Sequence, residues 1–270
     1  MEKIALPKQI KFEKGDVLGQ GSVIIEPCYP GYGITLGNSL RRVLISSLPG
    51  AAVIGVKIKG ASHEFMTVPH VKEDVLEIIL NLKGLRLKLH SDEVVVLKLE
   101  VHGEKNVTAA NIEKNSLVEI ANPELEIATI TDMSGSLSME IFVQAGRGYE
   151  TIDSREVIKH EIGYIEIDSA FSPVLTVGMD VENVRVGKMT DWEKLVLNIT
   201  TDGTISTENA FQQAVAILTE QFNALAGVKL ESKAETKKEV IEVEVATVES
   251  SEGEDDDEPK KGRGRPKKDE

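Results

Sequence analysis

The chain of 270 residues predicts an α+β fold for a body of about 230 residues, long enough to bury a core without disulfides. Two observations predict this class. Most of the body alternates apolar and polar residues with a period of two, the pattern of half-buried strands. A few segments carry apolar residues at helical spacing instead. After Leu230 the chain becomes rich in charge and poor in apolar residues, so 231–270 is predicted to be a disordered tail.

The first helix is predicted over 36–47. A Gly-rich turn ends at Thr35, a residue type that caps helix starts, and Pro49-Gly50 cannot continue a helix. Two arginines, Arg41 and Arg42, interrupt this apolar segment. One interpretation is an amphipathic core helix with solvated arginines. The other is a helix that packs on one side and grips a partner on the other.

The middle of the body is predicted to be mostly strand. The run 52–59 places Ile54, Val56 and Ile58 on one face of a strand. The runs 85–89 and 94–101, joined by a Ser-Asp-Glu turn, predict a β-hairpin. Further strands are predicted at 125–130, 136–143, 161–167, 174–186 and 194–200. A helix is predicted over 71–82, with Val71 facing inward and Gly84 ending it.

The last helix of the body is predicted to begin near Ser206 or Thr207, with Glu208 in its first turn. Its apolar face is wider than one ordinary packing contact needs. One stripe could cover the sheet while the other meets a second subunit. A fully internal helix explains the same pattern equally well.

Composition excludes several functions. The net charge of −14 argues against a body that wraps nucleic acid nonspecifically. Cys28, the single cysteine, is expected to be a small buried hydrophobe in a reducing compartment. No apolar run approaches a membrane span and no signal-peptide core is present, so we expect no membrane contact and a cytoplasmic location.

No catalytic constellation is recognised. The five histidines share no metal-ligand spacing with one another or with Cys28. There is no phosphate-binding loop with a Gly-x4-Gly-Lys-Ser/Thr pattern. We therefore expect no catalytic residue, metal or cofactor on this chain.

The segment from Gly31 to Gly50 resembles the signature helix of the bacterial and plastid RNA polymerase alpha subunit family. That signature reads Gly-aromatic-Gly-x-Thr-Leu-Gly-Asn-x-Leu-Arg-Arg-x-Leu-x-Ser-Ser-x-Pro-Gly, and every fixed position is met here. The resemblance continues in order to about residue 230. It is carried by His63-Glu64-Phe65, the helix around 73–84, Gly146-Arg147-Gly148-Tyr149, Ser172-Pro173-Val174, Asn183-Val184-Arg185-Val186, Thr190-Asp191 and Asp202-Gly203-Thr204-Ile205.

The resemblance implies a scaffold of DNA-directed RNA polymerase, a nucleotidyltransferase whose catalytic Mg²⁺ sits on another subunit. It implies a dimerisation domain built from 1–50 and 176–230, with a β-rich domain inserted at 51–175. Two copies would dimerise and bind the two large subunits, beta and beta-prime, in a bacterial cytosol and nucleoid rather than a plastid. The implied dimer interface is Leu36, Leu40, Leu44, Phe211, Val215, Leu218 and Phe222.

The resemblance also implies where the large subunits dock. Arg42 matches the position that grips the first large subunit, and Lys83 and Ile167 match positions linked to the second. Arg185 matches a basic position near that surface. Lys188 is a possible substitute for an arginine that the family often places where this chain has Met189.

The tail departs from the family, which usually has a second folded domain here that contacts promoter DNA; we expect that domain to be missing. An acidic run at 252–258 is followed by a basic segment similar to an AT-hook, in which a slim Arg-Gly-Arg step enters the minor groove of A·T-rich DNA and lysines reach phosphates. A solvated basic tail is the alternative. The predicted DNA-binding residues are Lys260, Lys261, Arg263, Gly264, Arg265, Pro266, Lys267 and Lys268. A second function therefore competes with the polymerase scaffold, namely a noncatalytic AT-hook architectural protein with an unrelated body.

Overall fold

The computed structural model describes residues 4–15, 17, 19–155 and 161–227. The chain divides into two units, Met1–Phe222 and Asn223–Glu270, and of the second unit only residues 223–227 are described. The predicted tail, 231–270, lies outside the described residues.

The described elements are strands with three α-helices, which confirms the predicted α+β class. The helices are α1 (Tyr32–Ser46), α2 (Val75–Lys83) and α3 (Thr207–Gly227). In chain order the strands are β1 (Gln9–Lys14), β2 (Gln20–Cys28), β3 (Pro49–Ile58), β4 (Leu87–Leu89), β5 (Val95–His102), β6 (Lys105–Thr108), β7 (Val118–Ile120), β8 (Glu126–Ile130), β9 (Ser136–Arg147), β10 (Tyr149–Glu150), β11 (Tyr164–Glu166), β12 (Ser169–Ala170), β13 (Val174–Val186) and β14 (Met189–Thr201).

Two sheets organise the first unit. One is antiparallel, with strand order β1-β2-β14-β13, and so joins strands from the two ends of the body. The other has the order β5-β9-β3-β4-β7, with β11 added alongside β3. Two short antiparallel pairs, β6 with β8 and β10 with β12, complete the strand pairing.

Each sheet has its own hydrophobic core. Buried side chains from residues 53–167 form one cluster, which includes the inner face of α2. Buried side chains from 23–48 and 174–214 form the other, which includes the inner faces of α1 and α3. The domain boundaries expected from the resemblance, 1–50 with 176–230 and 51–175, remain a proposal that these two clusters support.

Two helix starts differ from prediction. Helix α1 begins at Tyr32, so Thr35 lies inside the first turn and its hydroxyl donates to the Gly31 carbonyl at 3.1 Å. Helix α2 begins at Val75, because the Asp74 side chain accepts a hydrogen bond from the Glu77 N–H at 2.7 Å and caps the helix there. Val71 lies before that cap, in an isolated bridge with Ile130.

Three strand predictions are corrected. The runs 85–89 and 94–101 do not form a hairpin, because β9 and β3 lie between β5 and β4 in the sheet. On β3 a register shift between Val53 and Gly55 leaves Ile54 half-buried while Val56 and Ile58 stay in the core. The strand predicted at 194–200 is longer than expected and begins at Met189.

Candidate functional site: the arginine helix and its surroundings

Helix α1 packs closely on the hairpin formed by β13 and β14, and glycines make this possible. A Cβ on Gly37 would lie 2.8 Å from Leu195 Cδ1, so a larger residue there would force the helix or the facing side chain to shift. Leu40 and Leu44 continue the buried side one and two turns later. The predicted core-facing side of this helix is therefore confirmed.

The two arginines lie outside the buried stripe of α1: Arg41 borders it, and Arg42, about 100° farther round the helix, lies opposite it. Arg41 and Arg42 are both exposed, in the middle of a helix whose other side is buried. Within the part of the chain that the structure describes, neither has an ion-pair partner. Their guanidinium groups, each with planar donors suited to carboxylates, are thus presented to solvent.

The N-terminus of α1 is held by Glu193, a residue that the sequence analysis missed. Glu193 Oε1 accepts from the Gly31 N–H and Oε2 accepts from the Gly33 N–H, each at 2.8 Å. Gly31 itself has φ of 83°, a left-handed conformation that favours glycine, and offers no side-chain cap. No local pattern could reveal this contact, since Glu193 lies 160 residues from Gly33 in sequence.

An aromatic chain runs beside that cap. The Tyr29 ring lies edge to face against the Trp192 ring, with centroids 5.9 Å apart, and against the Tyr32 ring at 6.0 Å. Cys28, one residue before Tyr29, is fully buried as predicted. Burial raises the pKa of its thiol, and the nearby Glu193 carboxylate raises it further, so the thiol stays protonated at neutral pH.

The residues predicted for the dimer interface divide into two groups. Leu40, Leu44 and Phe211 belong to the core of the chain itself, so their side chains offer almost no surface to a second copy. Leu36 and Leu218 are partly buried against the same core. Val215 is 38% exposed and Phe222 is 60% exposed on α3, which narrows the proposed interface to these positions and their neighbours.

Two of the residues predicted to dock the second large subunit line one cavity. Lys83 and Ile167 border a cavity of about 350 Å³ between the end of α2 and the strand β11 region, together with Leu76 and Asp168. Ile167 is only 1% exposed, so it supports the cavity wall from the core and is not itself a contact surface. The expected part of Ile167 in docking stays a proposal.

Asp168 is the acidic partner of Lys83 in this cavity. Its carboxylate lies 3.7 Å from the Lys83 ammonium and accepts from the Ile152 N–H at 2.9 Å. That backbone hydrogen bond, and to a lesser degree the charge of Lys83, lowers the pKa of the Asp168 carboxyl. The Asp168 carboxyl therefore stays ionised at neutral pH.

The remaining basic positions lie at the turn between β13 and β14. Arg185 is exposed near the end of β13, and its Nε donates to the Gly187 carbonyl at 2.9 Å. Lys188 is exposed in the turn itself. The structure therefore distributes the predicted docking residues over α1, α2, the segment between β11 and β12, and this turn.

The DNA-binding residues predicted for the tail lie outside the described residues: Lys260, Lys261, Arg263, Gly264, Arg265, Pro266, Lys267 and Lys268. Across 4–155 (without 16 and 18) and 161–227, no group of three or more His, Cys, Asp or Glu side chains could hold a metal ion. None of the helices in these ranges is long and apolar enough to cross a membrane.

Comparison with known proteins identifies the family. A family model described as "RNA polymerase Rpb3/RpoA insert domain" matches residues 56–172. The DNA-directed RNA polymerase subunit alpha of Desulforamulus reducens is 45% identical over 260 residues, covering 93% of this chain and 82% of that protein. The alpha subunit of Carboxydothermus hydrogenoformans is 51% identical over 220 residues, covering 82% of this chain and 69% of its own length. The alpha subunit of Moorella thermoacetica is 50% identical over 208 residues, covering 77% of this chain and 66% of that protein.

These matches cover most of the chain and do not support the alternative function, an architectural AT-hook protein with an unrelated body. The body of this chain is similar in sequence to RNA polymerase alpha subunits, and these identities are too high for an unrelated fold. The exposed arginines of α1 and the Lys83 cavity thus belong to a subunit of a nucleotidyltransferase complex. The chain is a member of the DNA-directed RNA polymerase alpha subunit family.

Proposed function

We propose that this chain is the assembly scaffold of its RNA polymerase: it forms a homodimer that binds the two large subunits, beta and beta-prime, and contributes no catalytic residue. The observation that carries the proposal is the position of Arg42, exposed on a helix whose opposite side is fixed to a sheet. An arginine presented on a rigid element is a common anchor of protein interfaces. We place the assembled enzyme in the bacterial cytoplasm, with the catalytic Mg²⁺ on a large subunit.

The homodimer is supported by apolar side chains that a single copy leaves in water. Phe222 and Val215 on α3 are exposed, and so are Ile10 and Phe12 on β1, at 51% and 40%. The Phe12 ring contacts Phe211 of α3. Monomeric proteins seldom leave a cluster of large apolar side chains uncovered. A second copy placed on this surface would bury them.

The docking of two different large subunits is supported by two chemically distinct surfaces. Arg42 offers a guanidinium without an ion-pair partner among the described residues, suited to a carboxylate of the first large subunit. The Lys83–Asp168 pair offers both signs of charge beside the exposed Leu76. We propose that this surface binds the second large subunit and that Arg185 and Lys188 contribute to the same docking. In this proposal the buried Ile167 contributes only by supporting the neighbouring Asp168 from the core.

The test is reconstitution of the full-length dimer with each purified large subunit. We expect Arg42→Ala to leave the dimer intact and to weaken binding of the first large subunit by about 30-fold, equivalent to ~2 kcal/mol. Arg41→Ala is the charge-matched control on the same helix and should weaken binding much less. Equal and small effects of the two substitutions would contradict the proposed role of Arg42.

A further inference from the structure

The carboxylate of Glu193 connects β14 to the first turn of α1 through both of its oxygens. Oε1 lies 2.8 Å from the Gly31 nitrogen and Oε2 lies 2.8 Å from the Gly33 nitrogen. Helix starts leave N–H groups without intrahelical partners, and here no side chain of the local sequence accepts from them. A residue from a distant strand therefore supplies the cap.

This cap differs from an ordinary one in what it fixes. A local N-cap belongs to its own helix and moves with it, whereas Glu193 belongs to the sheet on which the helix lies. The apolar contacts along α1 are non-directional, so they define its sliding and rotation on the sheet less sharply than directional bonds do. Two charge-assisted hydrogen bonds to one rigid carboxylate restrain both, and the positive end of the helix dipole strengthens them.

The Glu193 carboxylate occupies the space that a side chain at position 33 would need. A Cβ on Gly33 would lie 2.7 Å from Glu193 Oε2, so any side chain at position 33 would displace the oxygen. The second glycine of the Gly-Tyr-Gly step is thus the counterpart of Glu193. The two residues form one joint between helix and sheet.

We propose that Glu193 is a positioning residue for assembly: it fixes the place of α1 on the sheet and, through it, the place of Arg42. The proposal rests on the proposed role of Arg42 in docking. Arg42 lies nine residues beyond Gly33, about 13 Å along the helix axis. A helix that shifts on its sheet would carry the guanidinium away from its acceptor.

The first measurement tests the joint by itself. Trp192, the only tryptophan of the chain, precedes Glu193 and contacts the aromatic chain that ends at Tyr32, the first residue of α1. We expect Glu193→Ala to shift the Trp192 emission and to speed hydrogen exchange of the Gly31 and Gly33 amides. Amides near Leu44 should stay protected. Unchanged exchange at Gly31 and Gly33 would overturn the proposal whatever the docking result.

The second measurement is a double-mutant cycle on binding of the first large subunit by the full-length dimer. We expect Glu193→Ala to weaken binding about tenfold, and Glu193→Gln, which keeps one acceptor oxygen, to weaken it less. In the Arg42→Ala background, Glu193→Ala should cost nothing further, since it acts through Arg42. Glu182→Ala, which removes an exposed carboxylate paired with Lys194 on the same hairpin, should leave binding unchanged.

The outcomes separate the two proposals. Effects of Glu193→Ala and Arg42→Ala that simply add would show that Glu193 does not act through Arg42, and would overturn the positioning role. A loss of stability with unchanged binding at a temperature where both dimers are folded would overturn it as well. If Arg42→Ala itself leaves binding unchanged, the docking function fails, while the exchange experiment still decides whether Glu193 holds the helix.

Discussion

The ring of Phe12 on β1 lies edge to face against the ring of Phe211 on α3, with the two centroids 5.7 Å apart. Phe211 is buried, whereas Phe12 remains partly exposed, so this contact marks the place where the core reaches the surface. Ile10 shares that face of β1, because residues two apart in a strand point the same way. Farther along α3, Val215 and Phe222 are exposed.

The first prediction concerns the dimer. Phe222→Asp should convert the dimer into monomers or aggregates, because a buried, unpaired carboxylate in the interface is costly. Asn106→Asp introduces the same charge on exposed β6 and should leave the dimer intact. Sedimentation of the full-length chain at micromolar concentration measures both. A wild-type chain that sediments as a monomer would contradict the proposed interface.

The second prediction concerns the charge pair beside the Lys83 cavity. The folded state lowers the pKa of Asp168, so its contribution to stability is present at neutral pH and is lost as the pH falls through that lowered pKa. Asp168→Asn keeps an acceptor oxygen for the Ile152 N–H but removes the charge. We expect it to lower the free energy of unfolding at pH 7 by less than ~1 kcal/mol, because the pair is partly exposed.

The pH dependence provides the check on that charge effect. Urea unfolding of the wild type and Asp168→Asn at pH 7, at about 5 and at about 3 should give a difference that shrinks toward the acid end, below the usual carboxyl pKa of ~3.9. A difference that stays constant over this range would mean that shape and not charge makes Asp168 important.

Sequence patterns predicted where the strands lie better than which strands pair with each other. The strand over 174–186 coincides with β13, because its alternation faces one core and its ends are marked by Pro173 and Gly187. The hairpin expected between 85–89 and 94–101 was wrong, since alternation shows which face of a strand is buried and not which strand lies beside it. Pairing of β5 with β9 depends on residues some forty positions apart.

The functional surface was predictable only in part. Arg42 stands out from the sequence because a charge interrupts an apolar helix, and its exposure is as expected. Leu40 and Leu44 were expected at a dimer interface, yet a helical stripe does not reveal whether its partner is the same chain or another. Glu193 could not be found at all, because its contact with Gly33 arises only when β14 and α1 are packed.

The third prediction tests the close approach of α1 to its sheet. Alanine is a better helix former than glycine by ~1 kcal/mol, so Gly37→Ala would stabilise an isolated helix. Here the added methyl group meets Leu195 and Met179, and overpacking of this kind typically costs ~1–3 kcal/mol. We therefore expect a net loss of stability in chemical denaturation. Asn38→Ala, at an exposed position of the same helix, should be neutral or stabilising.

An increase in stability for Gly37→Ala would show that the helix can move away from β13 and β14 at little cost. That result would also weaken the argument that Glu193 acts on a tightly seated helix. Gly37→Ala and Glu193→Ala thus test how α1 is seated on its sheet at two points along the helix.

The last prediction concerns the basic end of the tail, which we propose contacts A·T-rich DNA beside the promoter. These residues lie outside the described part of the structure, and their order supports the proposal: Arg263-Gly264-Arg265 is flanked by two lysine pairs. With ~4–6 phosphate contacts, log K should fall with log salt at a slope of about −4 to −5. Two tails in one dimer raise the effective concentration and offset weak binding by each.

The experiment is transcription in vitro with upstream DNA that is either A·T-rich or G·C-rich. Replacing both Arg263 and Arg265 with Ala should abolish the advantage of the A·T-rich template, because the narrow minor groove is read by the arginines. Replacing Lys267 and Lys268 with Ala should reduce transcription from both templates alike, since lysines contact phosphates whatever the base sequence. Subunit assembly should be unaffected in both variants. If the arginine variant and the wild type respond identically to the template exchange, the basic end of the tail is only a solvated appendage.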